Sequence, residues 1–186
     1  MAIRRTVAGS SDICWKSLEA AEGRTITTRM KLFNLPDLVA MLGPDQRLIG
    51  IDPGERTIGL ALSDVSLTIA TPYASLVRAK LGKNAQEISR LAEKENAGGL
   101  VVGLPLSMDG SFGPKAQAAR DWARAIAETT GLPAAMCDER LSSAAVNRFL
   151  IGEADLTRKR RAAAIDRSAA AYLLQGALDG LRAGQD

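Results

Sequence analysis

Residues 47–64 read RLIGIDPGERTIGLALSD and give the clearest indication of the fold. Two apolar runs, 47–52 and 57–63, flank a Pro-Gly turn, which is the pattern of an antiparallel β-hairpin. The first run ends in Asp52 beside the turn, whereas Asp64 ends the second run. At roughly 3.3 Å per residue, about 23 Å of strand separates them. The two carboxylates therefore cannot share a site, and we predict that Asp64 is a turn or cap residue.

Downstream of the hairpin, strand and helix patterns alternate. A third strand is expected within 66–78, interrupted near Pro72. The further expected elements are a helix capped by Asn84 and Glu87 and running to about residue 96, a strand over 98–105, a helix from Pro114 to Gly131, a strand over 133–139, a short helix from Ser142 or Ser143 to Leu150, and an alanine-rich helix over about 160–182. A hairpin followed by such alternation predicts an α/β domain with a mixed sheet.

The first 29 residues differ in pattern from the rest of the chain. They show no sustained hydrophobic periodicity and lack the apolar core of a signal peptide. Met30 then opens MKLFNLPDLVAML, a short amphipathic segment that is a more natural start. We interpret residues 1–29 as a disordered extension or a misassigned start, and residues 30–186 as one domain.

Composition excludes several classes of protein. The chain has no histidine, which removes Ser-His-Asp and Cys-His chemistry and leaves carboxylates as the source of acid–base or metal chemistry. Cys14 and Cys137 lack ligand spacing and indicate a reducing compartment, hence the cytoplasm. No apolar run approaches the length of a membrane span. Outside the first 29 residues the chain carries 19 Lys and Arg against 18 Asp and Glu, so only a local basic cluster can indicate nucleic-acid binding.

Three further acids lie where the predicted fold would bring them towards Asp52. Asp138 and Glu139, in the stretch CDER, end a strand at the edge where α/β folds place their sites. Glu139 is either a metal ligand or part of an acidic strand end paired with Arg140. Asp166 lies in AIDRSAAAYLLQ, where helical spacing places it beside Ala169 and Ala170 on the face towards the sheet.

Four motifs in order are similar to one known family. GIDPGERTIGLALSD, VVGLPLSMDGSFG, DERLSSAAV and DRSAAAYLLQ resemble the YqgF family, the Holliday-junction-resolvase-like pre-16S rRNA nucleases, over about residues 31–182. The resemblance implies an RNase H-like fold: a five-stranded mixed sheet of order 3-2-1-4-5, strand 2 antiparallel, flanked by helices. It also implies that Asp52, Glu139 and Asp166 are the catalytic and metal-binding residues. The departures are the amino-terminal extension and DERLSS in place of the more usual DERLTT.

Three acids from separate elements can hold two divalent cations about 4 Å apart for phosphodiester hydrolysis. Because all the ligands are oxygen, Mg²⁺ or Mn²⁺ is expected. Four small residues would then keep the hairpin compact beside the nucleic-acid backbone that is cut: Gly54, Thr57, Gly59 and Ala61. For Gly54, turn geometry alone is also a sufficient explanation.

Several basic and polar residues are candidates for holding substrate. In SMDGSFGPK, Ser111 and Lys115 flank a helix start that suits a phosphate, or form an ordinary loop. The only dense basic run is RKRR, and its residues either contact a phosphate backbone or form a solvated face: Arg158, Lys159, Arg160 and Arg161. Arg56 and Arg140 each adjoin a candidate acid and either contact phosphate or pair with that acid.

The resemblance predicts a cytoplasmic metal-dependent nuclease that processes the 5′ end of 16S rRNA precursor, in association with the pre-ribosome. One alternative is a junction resolvase acting on structured DNA. Another is a non-catalytic nucleic-acid-binding module, which the three acids disfavour because binding a polyanion needs no cluster of negative charge. An actin-like ATPase is disfavoured because the chain is too short for two lobes and lacks a second phosphate loop.

Overall fold

The computed structural model describes residues 32–106, 112–138 and 158–183, with side chains in the last range from residue 166 onward. Within these ranges the chain forms four helices and five strands. In order they are α1 (Leu35–Ala40), β1 (Arg47–Asp52), β2 (Thr57–Ser63), β3 (Ala70–Val77), α2 (Leu81–Lys94), β4 (Ala97–Leu104), α3 (Pro114–Thr130), β5 (Ala134–Asp138) and α4 (Arg158–Ala183). The predicted short helix from Ser142 or Ser143 to Leu150 lies outside the described residues.

The five strands form one sheet in the order β3-β2-β1-β4-β5. β2 is antiparallel to both β1 and β3, whereas β1, β4 and β5 are mutually parallel. The predicted fold class is confirmed, since this is the strand order and polarity of the RNase H-like fold. Because β1, β4 and β5 are parallel, their carboxyl ends meet at the same edge of the sheet.

The strands alternate between two hydrophobic layers. Ile49 and Ile51 of β1 pack with α2 and α3, while Leu48 packs with α1 and α4 on the other face. β4 divides in the same way, with Leu100 and Val102 on the first face and Val101 on the second. The sheet is therefore covered by helices on both sides, which explains the nearly continuous apolar runs of β1 and β4.

Glycine lets α4 lie directly on the hairpin. A Cβ placed on Gly50 of β1 would stand 2.7 Å from Cβ of Leu174, closer than real Cβ contacts allow. Ala61 of β2 and Ala170 of α4, both fully buried, meet in the same layer. The prediction that alanines let this helix approach the sheet is confirmed.

The predicted cap of α2 is wrong. The helix begins at Leu81 and its cap position is Lys80, four residues before Asn84, which is buried within the first turn. Asn84 accepts a hydrogen bond from the amide of Ala79 at 2.9 Å and donates one to the carbonyl of Val77 at 3.1 Å. A buried amide needs such partners, so Asn84 joins the end of β3 to α2 instead of starting the helix.

The other expected elements appear close to their predicted bounds. Pro72 lies in the edge strand β3, where the missing N–H of a proline is tolerated. The register between β3 and β2 shifts there. Gly131 ends α3 in the left-handed conformation. Leu38 of α1 is fully buried, and the segment before it pairs with the sheet through Phe33 and Ala135. In the described ranges, each helix is too short or too polar to cross a membrane.

Candidate active site

Asp52 is the last residue of β1 and stands opposite Gly59 of β2. It follows Leu48 and Gly50 in the alternation of the strand, so it belongs to the face covered by α4. The side chain is half-buried. Burial raises the pKa of Asp52 from its ordinary value of 3.8 to about 6, and the negative charge of Asp166 acts in the same direction.

Asp166 is placed beside Asp52 by the packing of α4 on β2. The hydroxyl of Thr57 donates a hydrogen bond to Oδ2 of Asp166, which ties the start of β2 to the helix. A Cβ on Gly59 would overlap the main-chain carbonyl of Asp166. Gly59 is expected to keep the hairpin compact beside the substrate backbone, and in the structure the neighbour that needs the space is the helix carrying Asp166.

Gly54 is required by its own turn. A Cβ there would stand 2.6 Å from the carbonyl oxygen of Thr57, so the turn between the two strands excludes any larger residue. Ala61 packs in the layer beneath α4. The small residues of the hairpin thus serve turn geometry and helix packing.

The third predicted acid, Glu139, lies outside the described residues, as does Arg140. Asp138, just before it, ends β5 and pairs with Leu104 of β4. In the described ranges, no three His, Cys, Asp or Glu residues lie close enough to hold a metal ion together. The structure thus brings together two of the three predicted acids.

The donor set at this edge suits a hard cation. Both converging groups are carboxylates, the hydroxyl of Thr57 bonds one of them, and the chain has no histidine to supply a nitrogen ligand. The raised pKa of Asp52 reflects burial and the repulsion between two acids, both of which a bound cation relieves. Oxygen-only ligands of this kind fit Mg²⁺ or Mn²⁺.

Arg78, which the sequence did not single out, holds the turn next to Asp52. Its Nη1 donates to the carbonyl oxygens of Pro53 at 3.0 Å and Gly54 at 2.9 Å. Its guanidinium lies 5.2 Å from the centre of the Trp122 ring in α3. No local pattern could have revealed this role, since the partners are distant in sequence.

The residues predicted to contact the substrate differ in where they lie and in whether the structure describes them. Lys115 is exposed and its Nζ lies 3.6 Å from Oε1 of Glu55. Arg56 is exposed, and no ion pair joins it to Asp52, so among the described residues the pairing alternative is not observed. Ser111 lies outside the described residues. Residues 158–161 form the first turn of α4, and their side chains lie outside the described part of the structure.

Asp64 is at the far end of the hairpin, as predicted. Its carboxylate accepts hydrogen bonds from the amides of Thr68 at 2.7 Å and Ile69 at 2.9 Å, and from the hydroxyl of Ser66. These bonds, led by that from Ile69, lower the pKa of Asp64 well below its usual range. The prediction of a turn residue is confirmed.

Similarity to known proteins agrees with this geometry. The family model RuvX, described as Holliday junction resolvase, matches residues 46–180. A relative from Gluconacetobacter diazotrophicus is 65% identical over 150 residues, which cover 81% of this chain and 97% of that protein. One from Gluconobacter oxydans is 58% identical over 153 residues, or 82% and 96% of the two chains. Both carry the name "Putative pre-16S rRNA nuclease".

Among solved structures, T. thermophilus RuvC in complex with a Holliday junction substrate aligns with a TM-score of 0.45 and 15% identity. The alignment covers 74% of this chain and 96% of that one. The fold assignment rests on the strand order rather than on this distant likeness. A family match over residues 46–180, together with relatives this similar over most of their length, means that the chain belongs to the RuvX family of Holliday junction resolvases.

Proposed function

We propose that this protein is a metal-dependent nuclease that hydrolyses phosphodiester bonds, with Asp52, Glu139 and Asp166 as its catalytic and metal-binding residues. The convergence of Asp52 and Asp166 carries the proposal. Two carboxylates held together, one with its pKa raised to about 6, form an unfavourable arrangement in a protein that only binds a polyanion. Such an arrangement is useful where a cation is held.

Glu139 completes the proposed set on an argument of spacing. Ala135 and Cys137 of β5 pack in the layer beneath α4. Glu139 comes two residues after Cys137, the spacing that returns a side chain to the same face of an extended chain. The face in question is the one to which Asp52 belongs.

Mg²⁺ or Mn²⁺ held by these acids would supply a nucleophilic hydroxide and stabilise the leaving oxygen. The chain's own residues prepare the site. The hydroxyl of Thr57 orients the Asp166 carboxylate through its hydrogen bond. Arg78 fixes the turn that follows Asp52 by binding two of its carbonyls. The packing of α4 on Gly59 determines how closely the two acids approach.

The substrate we propose is the 5′ region of 16S rRNA precursor, processed in the cytoplasm in association with the pre-ribosome. The names of the relatives from Gluconacetobacter diazotrophicus and Gluconobacter oxydans support this choice. The basic and polar residues proposed to contact the phosphate backbone are Arg56, Ser111, Lys115, Arg140, Arg158, Lys159, Arg160 and Arg161.

A second candidate function is cleavage of four-way DNA junctions. The description of the matching family model favours it. The same acids and the same metal chemistry would serve, because both substrates present a phosphodiester to the site. The two substrates differ in the shape of the nucleic acid and in the sugar, because RNA carries a 2′-hydroxyl that DNA lacks.

The test is an assay of purified protein on precursor rRNA and on four-way DNA junctions, with Mg²⁺, with Mn²⁺ and with EDTA. We expect cleavage of the rRNA with either ion and none with EDTA. Asp52→Asn, Glu139→Gln and Asp166→Asn should each lower the cleavage rate by at least ~100-fold while the protein stays folded, because each removes a negative ligand.

Asp64→Asn is the matched control, and should cut at the wild-type rate because Asp64 only closes a turn at the far end of β2. Cleavage of junctions alone would assign the second function. Wild-type cleavage rates in all three acid variants would contradict the proposed site.

A further inference from the structure

A cleft of about 440 Å³ opens beside the candidate active site. It lies between the turn after β1 and the first half of α3, and Asp52 forms part of its wall. The other residues of its lining are Pro53, Gly54, Glu55, Arg78, Pro105, Lys115, Ala118 and Ala119. Two cations, Arg78 and Lys115, therefore face a space that the candidate catalytic acid also borders.

Arg78 is held in place by several elements. Its Nη1 bonds the carbonyls of Pro53 and Gly54, its guanidinium rests over Trp122 of α3, and its own amide donates to the carbonyl of Arg56 at 2.9 Å. An arginine anchored in this way has already lost most of its rotamer freedom. It therefore loses little further entropy on binding a ligand.

Among the described residues, the anchoring hydrogen bonds use only part of the guanidinium. Arginine has five N–H donors, and those of Nη1 serve the two turn carbonyls. Nε and Nη2 make no hydrogen bond to the residues that the structure describes. The planar pair formed by these two nitrogens matches the oxygens of a phosphate.

Lys115 supplies a second, mobile charge. Its Nζ lies 3.6 Å from Glu55, but both side chains are more than four-fifths exposed. An exposed ion pair of this kind contributes little to stability, because water screens it. Lys115 can therefore exchange the carboxylate of Glu55 for a phosphate with little loss of stability.

We propose that this cleft is a phosphate subsite of the nuclease. It binds a backbone phosphate of the nucleic-acid strand next to the one that is cut, with Arg78 as the fixed anchor and Lys115 as the second cation. The inference rests on the proposed nuclease function. It adds that the bound nucleic-acid strand runs past Asp52 on the side of this cleft.

The test measures binding of a short fluorescein-labelled single-stranded RNA at several KCl concentrations, with Ca²⁺ in place of Mg²⁺ to prevent cleavage. Log affinity falls as log salt rises, and each phosphate contact steepens this negative slope by about 0.7 for single strands. Arg78→Gln and Lys115→Gln should each make the slope shallower by about this amount, and the double variant by about twice as much. Arg90→Gln, in an exposed ion pair on α2 outside the cleft, is the matched control and should keep the wild-type slope.

Loss of the hydrogen bonds from Arg78 to the turn could also destabilise the protein, so melting temperatures are recorded in parallel. Lys115→Gln separates the two effects, because the exposed Lys115 carries no packing. Suppose that the wild-type protein binds and cleaves RNA but that both Arg78→Gln and Lys115→Gln keep the wild-type salt slope. That result would overturn the subsite and leave the nuclease proposal standing. A wild-type protein that neither binds nor cleaves nucleic acid would overturn both.

Discussion

At Asp52, burial and a neighbouring charge shift the pKa in the same direction. Both burial at the end of β1 and the nearby Asp166 raise its pKa, from 3.8 to about 6. A carboxyl group with a raised pKa favours the folded state when it is protonated and opposes it when it is ionised. Near neutral pH the metal-free site is therefore a local source of instability, and a bound cation would remove it.

This behaviour gives a pH-dependent prediction for Asp52→Asn. The contribution of Asp52 to stability is fully present below its unfolded value of 3.8 and is lost as the pH rises through about 6. In EDTA, the variant should therefore match the wild type near pH 4 and exceed it by about 2–3 kcal/mol at pH 7, since one pKa unit corresponds to 1.36 kcal/mol. Urea unfolding of both proteins across this range measures the difference.

Added Mg²⁺ or Mn²⁺ should reduce that difference at pH 7, because the ion stabilises the wild type more than the variant. A stability difference that stays constant from pH 4 to pH 7 would show that the pKa of Asp52 is close to ordinary.

At the scale of elements, the contact of α4 with the hairpin determines the site. Gly50 and Gly59 lie one on each hairpin strand, both beneath the helix, and neither has room for a Cβ. The main-chain carbonyl of Asp166 occupies that space at Gly59, and Cβ of Leu174 occupies it at Gly50. Because a main-chain atom or a Cβ cannot move aside as the end of a flexible side chain can, the separation of helix and sheet is set at these two positions.

Gly59→Ala should therefore push α4 away from β2. We expect a loss of about 1–3 kcal/mol in the free energy of unfolding, as for other overpacked cores, and a fall in cleavage rate because Asp166 moves with the helix. Gly82→Ala is the control, since a Cβ there meets nothing within 4 Å and alanine favours the helix α2 in which it lies. Thermal unfolding compares the two, and equal melting temperatures would show that the helix accommodates a methyl group.

At the scale of the whole molecule, the described part of the chain forms one two-sided core around a single sheet. The first residues that contribute to it are near Phe33, which donates from its amide to the carbonyl of Ala134 at 2.9 Å. Leu38 comes next as a fully buried side chain. Residues 1–29 precede both contacts.

We predict that deletion of residues 1–29 leaves the melting temperature and the cleavage rate unchanged, because the segment has no apolar face to bury. Deletion of residues 1–40 is the contrasting variant. It removes Leu38 as well, and should lower stability by about 2–5 kcal/mol or prevent folding. Differential scanning calorimetry checks both. A large fall in melting temperature on deletion of residues 1–29 would contradict the prediction and show that this segment packs on the domain.

Local pattern accounts for the elements that the sequence predicted correctly. The hairpin bounds of 47–52 and 57–63 agree with β1 and β2, because a period of two and a Pro-Gly turn are local features. Asn84 was misread for the same reason: Asn before Glu is a local capping pattern, but its amide is bound by Ala79 and Val77 in the folded chain. The sheet order and the pairing of acids came from the family resemblance and not from periodicity.

The strands and the main helices follow from the sequence, since each depends on residues close together along the chain. The family resemblance named Asp52, Glu139 and Asp166 as the candidate acids. How the site is held depends on tertiary contacts. Thr57 and Asp166 are 109 positions apart, and Arg78 reaches Pro53 and Gly54 across 25 and 24 positions. Such contacts depend on how closely two elements pack, and packing depends on the volumes of all the residues between them, which no short window of sequence contains.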